Sequence, residues 1–533
     1  MPRWGDEWRD ETWARAAEPL DVLIIGGGIT GAGLLVESAR RGLKALLLEG
    51  DDFAAGTSSR SGKLVHGGMR YLKQGRVGLT RSLLLERDRL LVARPGLVDP
   101  LEFVIPTYVH ARMDRVAYGV AVRAYDLLRG HRKSWRRYGP DQVIQRVPGL
   151  RSGGLDGGFG FGDAVTDDAR LVLRTLRDAA ALGGHALNYT HAGSLVREGG
   201  RVVGAELHDR VADRSVVARA RVVFNATGAG ADRVRGWVGR RPRLRPIRGT
   251  HLMLPHRVLP LRQAVSFRHP VDGRYTYLLP WEGATVVGTT DRDHPRDGVD
   301  GSRATAAEVE YLLHALHHWL PGAGVTEGDV MGTVAGLRPV VDTGRADPYQ
   351  EKRGSVLWKE EGLVTVISGK LTGFLPIVTR ALDTVADRRV APASATGVPA
   401  ELDGLAAPLR TRLVGRYGDD APALVDAARD GELEPVDGTS VPWAELRWAL
   451  RAEGVHHLDD LLLRRARIGL LLPRGGETHF PRIAALCQEE LGWSRDRWNA
   501  EAERYRRIWR EEHGIPGDHA APVPARPTVG AAD

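Results

Sequence analysis

The chain has 533 residues, 42% of them hydrophobic and 27% charged, enough for two or three domains with sizeable cores. Its net charge of +8 comes without any run of five like charges, zinc-finger spacing or aromatic-interleaved basic patch, which argues against nucleic-acid binding. A single cysteine, Cys487, excludes an internal disulfide and fits a reducing compartment, and no stretch approaches the length of a transmembrane helix.

Residues 1–18 form an N-terminal extension that lacks the apolar core of a signal peptide. Trp4 and Trp8 share a helical face there, which suits a packing extension or an interfacial anchor. Asp21–Gly26 (DVLIIG) is a short apolar run, as expected for a buried parallel strand. It leads into Gly26-Gly27-Gly28-Ile29-Thr30-Gly31, a G-x-G-x-x-G, and then into helical spacing over Thr30–Arg41 that stops at Gly42. Ala45–Glu49 (ALLLE) is a second strand ending in an acid. In that setting Gly26, Gly28 and Gly31 let the backbone approach a pyrophosphate at a helix N-terminus. Glu49 stands where a carboxylate hydrogen-bonds a ribose hydroxyl.

Thr57–Leu72 (TSSRSGKLVHGGMRYL) follows, a mixture of hydroxyls, lysine, histidine, a Gly-Gly turn, arginine and tyrosine. A loop held against a cofactor has reason to carry it. Lysine occurs only at positions 44, 63, 73, 133, 352, 359 and 370, so a retained lysine hints at a role arginine cannot fill; Lys63 and Lys370 both sit in Ser-Gly-Lys-Leu.

Leu101–Pro106 reads as a strand and Val116–Arg129 as a helix. Arg151 to Asp168 is glycine-rich, with Asp167 or Asp168 as cap for a helix over Ala169–Leu182. Strands at Ser194–Arg197, Arg201–Leu207 and Val216–Ala226 come next. The last stops at Ala226-Thr227-Gly228, where backbone can come close to a cofactor; so far beyond the fingerprint, this favours a flavin over a nicotinamide dinucleotide. Tyr275–Trp281, the turn Glu282-Gly283 and Ala284–Thr290 form a hairpin of an antiparallel sheet. Thr305–Leu320 is helical, and Gly332–Val341 is a strand with Arg338 near its end. Leu363–Ile367 is another apolar strand, followed by Ser368-Gly369-Lys370-Leu371-Thr372 and a helix over Phe374–Ala386 with Thr372 as candidate cap. Residues 391–405 read as a linker, 406–513 as a helical domain burying Cys487, and 514–533 as a disordered tail.

Asp21–Gly33, Ser58–Leu72, Asn225–Gly228, Gly249–Leu254, the hairpin ending in Gly288-Thr289-Thr290-Asp291, Gly336-Leu337-Arg338-Pro339 and Ser368–Thr372 occur in order, and together they resemble the FAD-dependent glycerol-3-phosphate dehydrogenases and related oxidases. Arg447–Leu472 resembles the helical C-terminal domain of that family. Two departures stand out: Ser368 where the pattern has glycine, and Gly62 where it has serine. The resemblance implies an α/β FAD-binding Rossmann-like domain of the glutathione-reductase/D-amino-acid-oxidase type, an antiparallel-sheet substrate domain and an all-α C-terminal domain. The FAD-dependent region would span 19–390, with FAD-binding parts near 19–100, 150–245 and 332–390 and substrate parts near 101–149 and 246–331.

It further implies oxidation of sn-glycerol 3-phosphate to dihydroxyacetone phosphate by hydride transfer to flavin N5. Electrons would pass to a quinone in the dehydrogenases or to oxygen in the oxidases. No second fingerprint opens a helix, so an outside acceptor rather than an internal NAD site is expected. A cytoplasmic protein attached peripherally to the inner face of the cell membrane is implied, a homodimer stays open, and no metal cluster is evident.

Such chemistry needs cations for a phosphate dianion and a base for the C2 hydroxyl proton. Arg338 is the expected phosphate anchor with Arg70 as second ligand, since arginine binds phosphate bidentately and stays charged. Lys370 would stabilise charge on the reduced flavin or reach substrate, and Tyr71 would shape the pocket or hydrogen-bond substrate. His66 is favoured over His251 as base. The expected cofactor set is Gly26, Gly28, Gly31, Glu49, Thr57, Ser58, Ser59, Lys63, His66, Gly67, Gly68, Thr227, Gly228, Arg338, Gly369, Lys370, Leu371 and Thr372, with Ser58, Ser59 and Lys63 at the pyrophosphate or its surroundings. The alternatives are an oxygen-using oxidase of the same substrate or of an amine, and a non-catalytic FAD-binding scaffold or sensor. The cations Arg70, Arg338 and Lys370 speak against an amine.

Overall fold

The computed structural model describes residues 4–129, 134–296, 302–351, 353–385, 402 and 404–517; the expected linker lies mostly outside these residues, as does the expected tail beyond Gly517. The apolar run Leu20–Ile25 pairs in parallel with Ala45–Leu48 on one side and Arg214–Asn225 on the other. His185–Leu187 and Leu363–Ile367 extend this sheet in parallel, and Val356–Glu360 closes one edge antiparallel. Every residue of Ala45–Leu48 and Leu363–Ile367 is buried, as parallel strands covered on both faces require. Helices Ile29–Arg40, Asp168–Ala181 and Phe374–Leu382 share one core with these strands. Asp167 caps the second of them, accepting from the Arg170 amide at 3.2 Å.

A second sheet of ten strands runs in the order Arg292–Asp293, Leu244–Pro255, Ala284–Gly288, Tyr275–Trp281, Ala264–Arg268, Val98–Tyr108, Leu155–Thr166, Leu64–Val65; Gly332–Val341 also pairs with Leu244–Pro255, and Arg136–Tyr138 with Leu155–Thr166. The hairpin stands as expected, its turn residues Glu282 and Gly283 both left-handed, which matches the twist of the flanking strands. Two boundaries shift. The glycine-rich stretch holds the strand Leu155–Thr166, because Val98–Tyr108 supplies a full ladder and Phe103 stacks on Phe161 at 5.2 Å. Gly332–Val341, expected with the FAD-binding part, pairs along its whole length with Leu244–Met253 and belongs to the second sheet.

The helical domain includes Ala407–Tyr417, Trp443–Ala452, Phe480–Leu491 and Arg495–Glu512, and Cys487 is buried within it. Its core is continuous with that of the second sheet: Phe161, Leu279 and Trp281 belong to the same cluster as Leu446, Leu461, Ile483 and Tyr505. At the N-terminus Trp4 stacks on Trp8 at 5.3 Å and meets Phe53 at 5.2 Å. Both indoles are buried, so this extension packs against the protein and the interfacial-anchor reading falls. Among the described residues no helix is long and apolar enough to cross a membrane, and no group of metal-ligating side chains gathers.

Candidate functional site

The fingerprint forms a cradle with no room for side chains. Gly26 is at φ +113°, and a Cβ there would lie 2.6 Å from the Ala226 carbonyl oxygen; one on Gly31 would lie 1.8 Å from that of Gly26. The helix Ile29–Arg40 begins after Gly28, which has no side chain to cap it, and its N-terminus points its positive end at the cradle. Ser58 Oγ accepts from the Ile29 amide at 3.0 Å, and Glu49 Oε2 accepts from the Gly27 amide at 2.7 Å. Burial pushes the Glu49 carboxyl up to about 7 against the pull of the Asp51 and Gly27 amides. Thr57 donates to the Leu337 carbonyl at 2.6 Å, and Thr227 Oγ1 to Asn225 Oδ1 at 2.7 Å just before Gly228. Gly26, Gly28, Gly31, Glu49, Ser58 and Thr227 thus converge at one end of the parallel sheet, and this set fits a dinucleotide.

Three expectations shift in detail. Lys63 lies beneath the loop rather than against a diphosphate: its ammonium reaches both Asp168 oxygens at 2.8 Å and the Ser59 carbonyl at 2.9 Å, so its three donors are all engaged. Burial pulls that ammonium down to about 8 despite Asp168. Ser59 is buried and turns its hydroxyl to the Gly56 carbonyl. Thr372 does not cap the following helix, which starts after Gly373 without a side-chain cap; its hydroxyl accepts from the His66 amide at 2.9 Å. That bond ties the Ser-Gly-Lys-Leu-Thr segment to the His66-Gly67-Gly68 turn. The departure at Gly62 has a physical reason, since a Cβ there would lie 2.2 Å from the Tyr277 hydroxyl.

Next to the cofactor cradle the structure gathers cations. Arg338 donates to Asp291 Oδ1 at 2.8 Å, the Thr290 carbonyl at 3.1 Å and Thr289 Oγ1 at 2.8 Å. Arg353 reaches the same Asp291 oxygen at 2.6 Å. Arg70 stacks over the Tyr349 ring at 3.7 Å and donates to the Tyr349 carbonyl. The Lys370 ammonium sits 4.1 Å from the Tyr71 ring centroid, beside Gly68. Burial holds Arg70, Arg338 and Lys370 below their usual range, and neighbouring cations add to the effect. Burial alone would raise the Tyr71 phenol, but Lys370 and Arg353 pull it down instead. Arg70 Nε and Arg353 Nε are buried without a partner. Among the described residues, four cations thus gather here while Asp291 pairs with two of them, Arg338 and Arg353, an imbalance that a bound dianion would offset.

Both candidate bases adjoin this cluster and are held neutral. Burial, then Lys370, Arg87 and Arg353, keep His66 well below its usual value. Burial, then Arg338 and Lys63, bring His251 down to about 3. His251 makes long contacts of 3.4 Å to the Val334 carbonyl and the Tyr277 hydroxyl, whereas the His66 ring has no hydrogen-bond partner among the described residues. Sequence reasoning missed Arg353, Tyr349 and Tyr277, and gave Asp291 no role. Asp291 ended a recognisable segment, but Arg353 stands in irregular chain with no motif around it.

Residues 21–375 match the family described as FAD dependent oxidoreductase, and residues 380–498 match the C-terminal domain of alpha-glycerophosphate oxidase. The aerobic glycerol-3-phosphate dehydrogenase of Bacillus subtilis is 36% identical over 69% of this chain and 67% of its own length. That of Staphylococcus aureus strain USA300 is 31% identical over 84% of this chain and 86% of its own. The structure of glycerol-3-phosphate dehydrogenase from Bacillus halodurans complexed with FAD superposes with a TM-score of 0.74 at 27% identity, covering 95% of this chain and 97% of that one. The L-alpha-glycerophosphate oxidase of Mycoplasma pneumoniae, at 17% identity and a TM-score of 0.58 over 71% of this chain and 97% of that one, shares the fold. With the fingerprint cradle in place and both family matches in order along it, the chain belongs to the FAD-dependent glycerol-3-phosphate dehydrogenase family of FAD-dependent oxidoreductases.

Proposed function

We propose that the enzyme oxidises sn-glycerol 3-phosphate to dihydroxyacetone phosphate and passes the electrons to a quinone. The observation that carries this reading is the surplus of buried cations beside the cofactor cradle among the described residues: Arg70, Arg338, Arg353 and Lys370, with Asp291 as the carboxylate paired to two of them. FAD, when bound, supplies the two-electron acceptor, with flavin N5 as the site of hydride transfer. Gly26, Gly28, Gly31, Glu49 and Ser58 would hold it, with Thr227 and Gly228 closing the cradle.

Among the described residues Arg338 keeps its Nε–H and one Nη2–H beyond its three bonds, and Asp291 fixes the plane of its fork for a phosphate. The partnerless Nε–H groups of Arg70 and Arg353 are further donors. His66 is the favoured base for the C2 hydroxyl proton because its ring is neutral and unpartnered. Burial is the main cause of its lowered proton affinity, and the substrate dianion would offset the smaller part that comes from Lys370, Arg87 and Arg353. Lys370 would stabilise negative charge as the hydroxyl proton leaves.

The quinone reading has a surface to support it. On the helix Arg112–Leu127, Val116, Val120 and Leu127 are 61%, 61% and 78% exposed with Arg123 between them, a pattern suited to a lipid interface. From the same helix Tyr125 donates to Asp163 at 2.9 Å, and a Cβ on Gly67 at the site would lie 2.7 Å from the Tyr125 hydroxyl. Peripheral attachment to the inner face of a cell membrane follows from this reading.

The test is anaerobic addition of sn-glycerol 3-phosphate to the FAD-bound protein. Bleaching of the flavin is expected, with reoxidation faster by a quinone analogue than by oxygen. No bleaching despite bound FAD would overturn the dehydrogenase reading and leave a scaffold; faster reoxidation by oxygen would make the enzyme an oxidase.

A further inference from the structure

We propose that the helical C-terminal domain sets the affinity for FAD, with Arg464, Arg465 and Arg467 as positioning residues that clamp the two loops around the cofactor cradle; this rests on the placement of FAD at the Gly26–Gly31 fingerprint given above. The first loop follows Glu49. Asp52 is fully buried there and receives Arg465 through two bonds, at 2.5 and 2.7 Å, and Arg464 at 2.5 Å. Asn188 donates to the same carboxylate at 3.1 Å. Two residues on, the Ala54 amide donates to the Gly27 carbonyl at 3.1 Å. The segment from Glu49 to Ala54 is thus fastened to the fingerprint on one side and to the helical domain on the other.

The second loop carries Ser58, whose hydroxyl meets the first amide of the fingerprint helix. Arg467 donates to the adjacent Ser59 carbonyl at 2.8 Å and to Asp168 at 3.1 Å. Asp168 in turn holds Lys63 and accepts from the Ser61 amide at 2.8 Å. One short stretch of the helical domain therefore reaches both loops. Its backbone is unusual: Asp460–Arg465 is a π-helical turn, and Arg467 is left-handed at φ +65°. Both features re-aim side chains that a regular helix would spread around its axis.

These arginines do not reach the substrate side. The ion pairs and hydrogen bonds of Arg70, Arg338 and Arg353 involve no residue of the helical domain among the described residues. The clamp should therefore act on cofactor affinity and leave substrate affinity alone. Removing Arg465 takes away two of the bonds to Asp52 and leaves Arg464 as its cation among the described residues, so the loop would loosen around an under-compensated buried carboxylate.

The test measures FAD binding to the apoprotein by flavin fluorescence, with circular dichroism as the check on folding. Arg465→Gln should raise the dissociation constant of FAD at least tenfold while KM for sn-glycerol 3-phosphate at saturating FAD stays within twofold. Where Arg465→Gln does not fold, Asp52→Asn/Arg465→Gln, which removes the under-compensated buried carboxylate, gives the same readout. The control is Arg447→Gln, which breaks a buried network with Glu432, Glu489 and Glu490 inside the helical domain and away from both loops. It should lower the melting temperature yet leave FAD affinity within twofold. Unchanged FAD affinity in the folded Arg465 variants, or equal loosening by Arg447→Gln, would overturn the clamp. Glu49→Ala should also weaken FAD; if it does not, the placement of FAD is wrong and the clamp falls with it.

Discussion

Arg338 and Asp291 form an ion pair at 2.8 Å, and the same Asp291 oxygen also receives Arg353 at 2.6 Å. One carboxylate thereby orients two guanidinium groups next to the cofactor cradle. If Arg338 anchors the substrate phosphate, Arg338→Ala should lower kcat/KM about 100-fold or more, from the loss of one or two charge-assisted bonds. The flavin spectrum and FAD content should not change. Arg338→Lys should recover little, because an ammonium cannot reproduce the fork. Loss of FAD in either variant would remove the phosphate role.

Asp291→Asn separates orientation from charge. The substitution makes the site more positive, so a purely electrostatic attraction predicts tighter substrate binding. If the carboxylate serves to aim Arg338 and Arg353, KM should instead rise about tenfold, the loss of roughly one charge-assisted hydrogen bond. Steady-state kinetics at fixed ionic strength distinguish the two.

His251 links the site to stability in acid. Its folded value, about 3, lies below its unfolded value near 6.5, because burial and the cations Arg338 and Lys63 disfavour the imidazolium. A depressed group contributes stability that is present above the unfolded value and lost as pH falls toward the folded one. At pH 5 the loss from His251 should be about 2 kcal/mol relative to pH 7.5. Thermal melts at the two pH values should show a smaller difference in His251→Gln than in the parent protein; an unchanged difference would mean His251 is not held neutral.

How far the sequence reached depends on where each partner lies. The strand Leu20–Ile25, the glycine cradle and Glu49 were legible because strand, turn, helix and acid follow one another locally. Arg338 was legible because it stands near the end of an apolar strand within Gly336-Leu337-Arg338-Pro339, one of the segments that carry the resemblance. Lys63 was not, since its partner Asp168 stands 105 residues away and turns an expected cofactor ligand into a buried ion pair. Arg465 was not, for its partner Asp52 lies 413 residues earlier. The strand Leu155–Thr166 was not legible in its glycine-rich stretch because glycine disfavours strands locally, and only the ladder from Val98–Tyr108 decides for one.

The exposed face of Arg112–Leu127 gives a prediction about location. Val116→Ser/Val120→Ser should reduce co-sedimentation with anionic lipid vesicles severalfold and leave substrate bleaching of the flavin intact. Equal sedimentation of the variant and the parent would place membrane contact elsewhere.

The central claim is that the buried cations beside the cradle select a phosphorylated alcohol. Anaerobic titration of the FAD-bound protein, comparing sn-glycerol 3-phosphate with glycerol, tests it most directly. The flavin should bleach with the phosphorylated compound and stay oxidised with glycerol at the same concentration, and Arg338→Ala should bleach only at much higher concentration. Equal bleaching by the two compounds, or none by either with FAD bound, would contradict it.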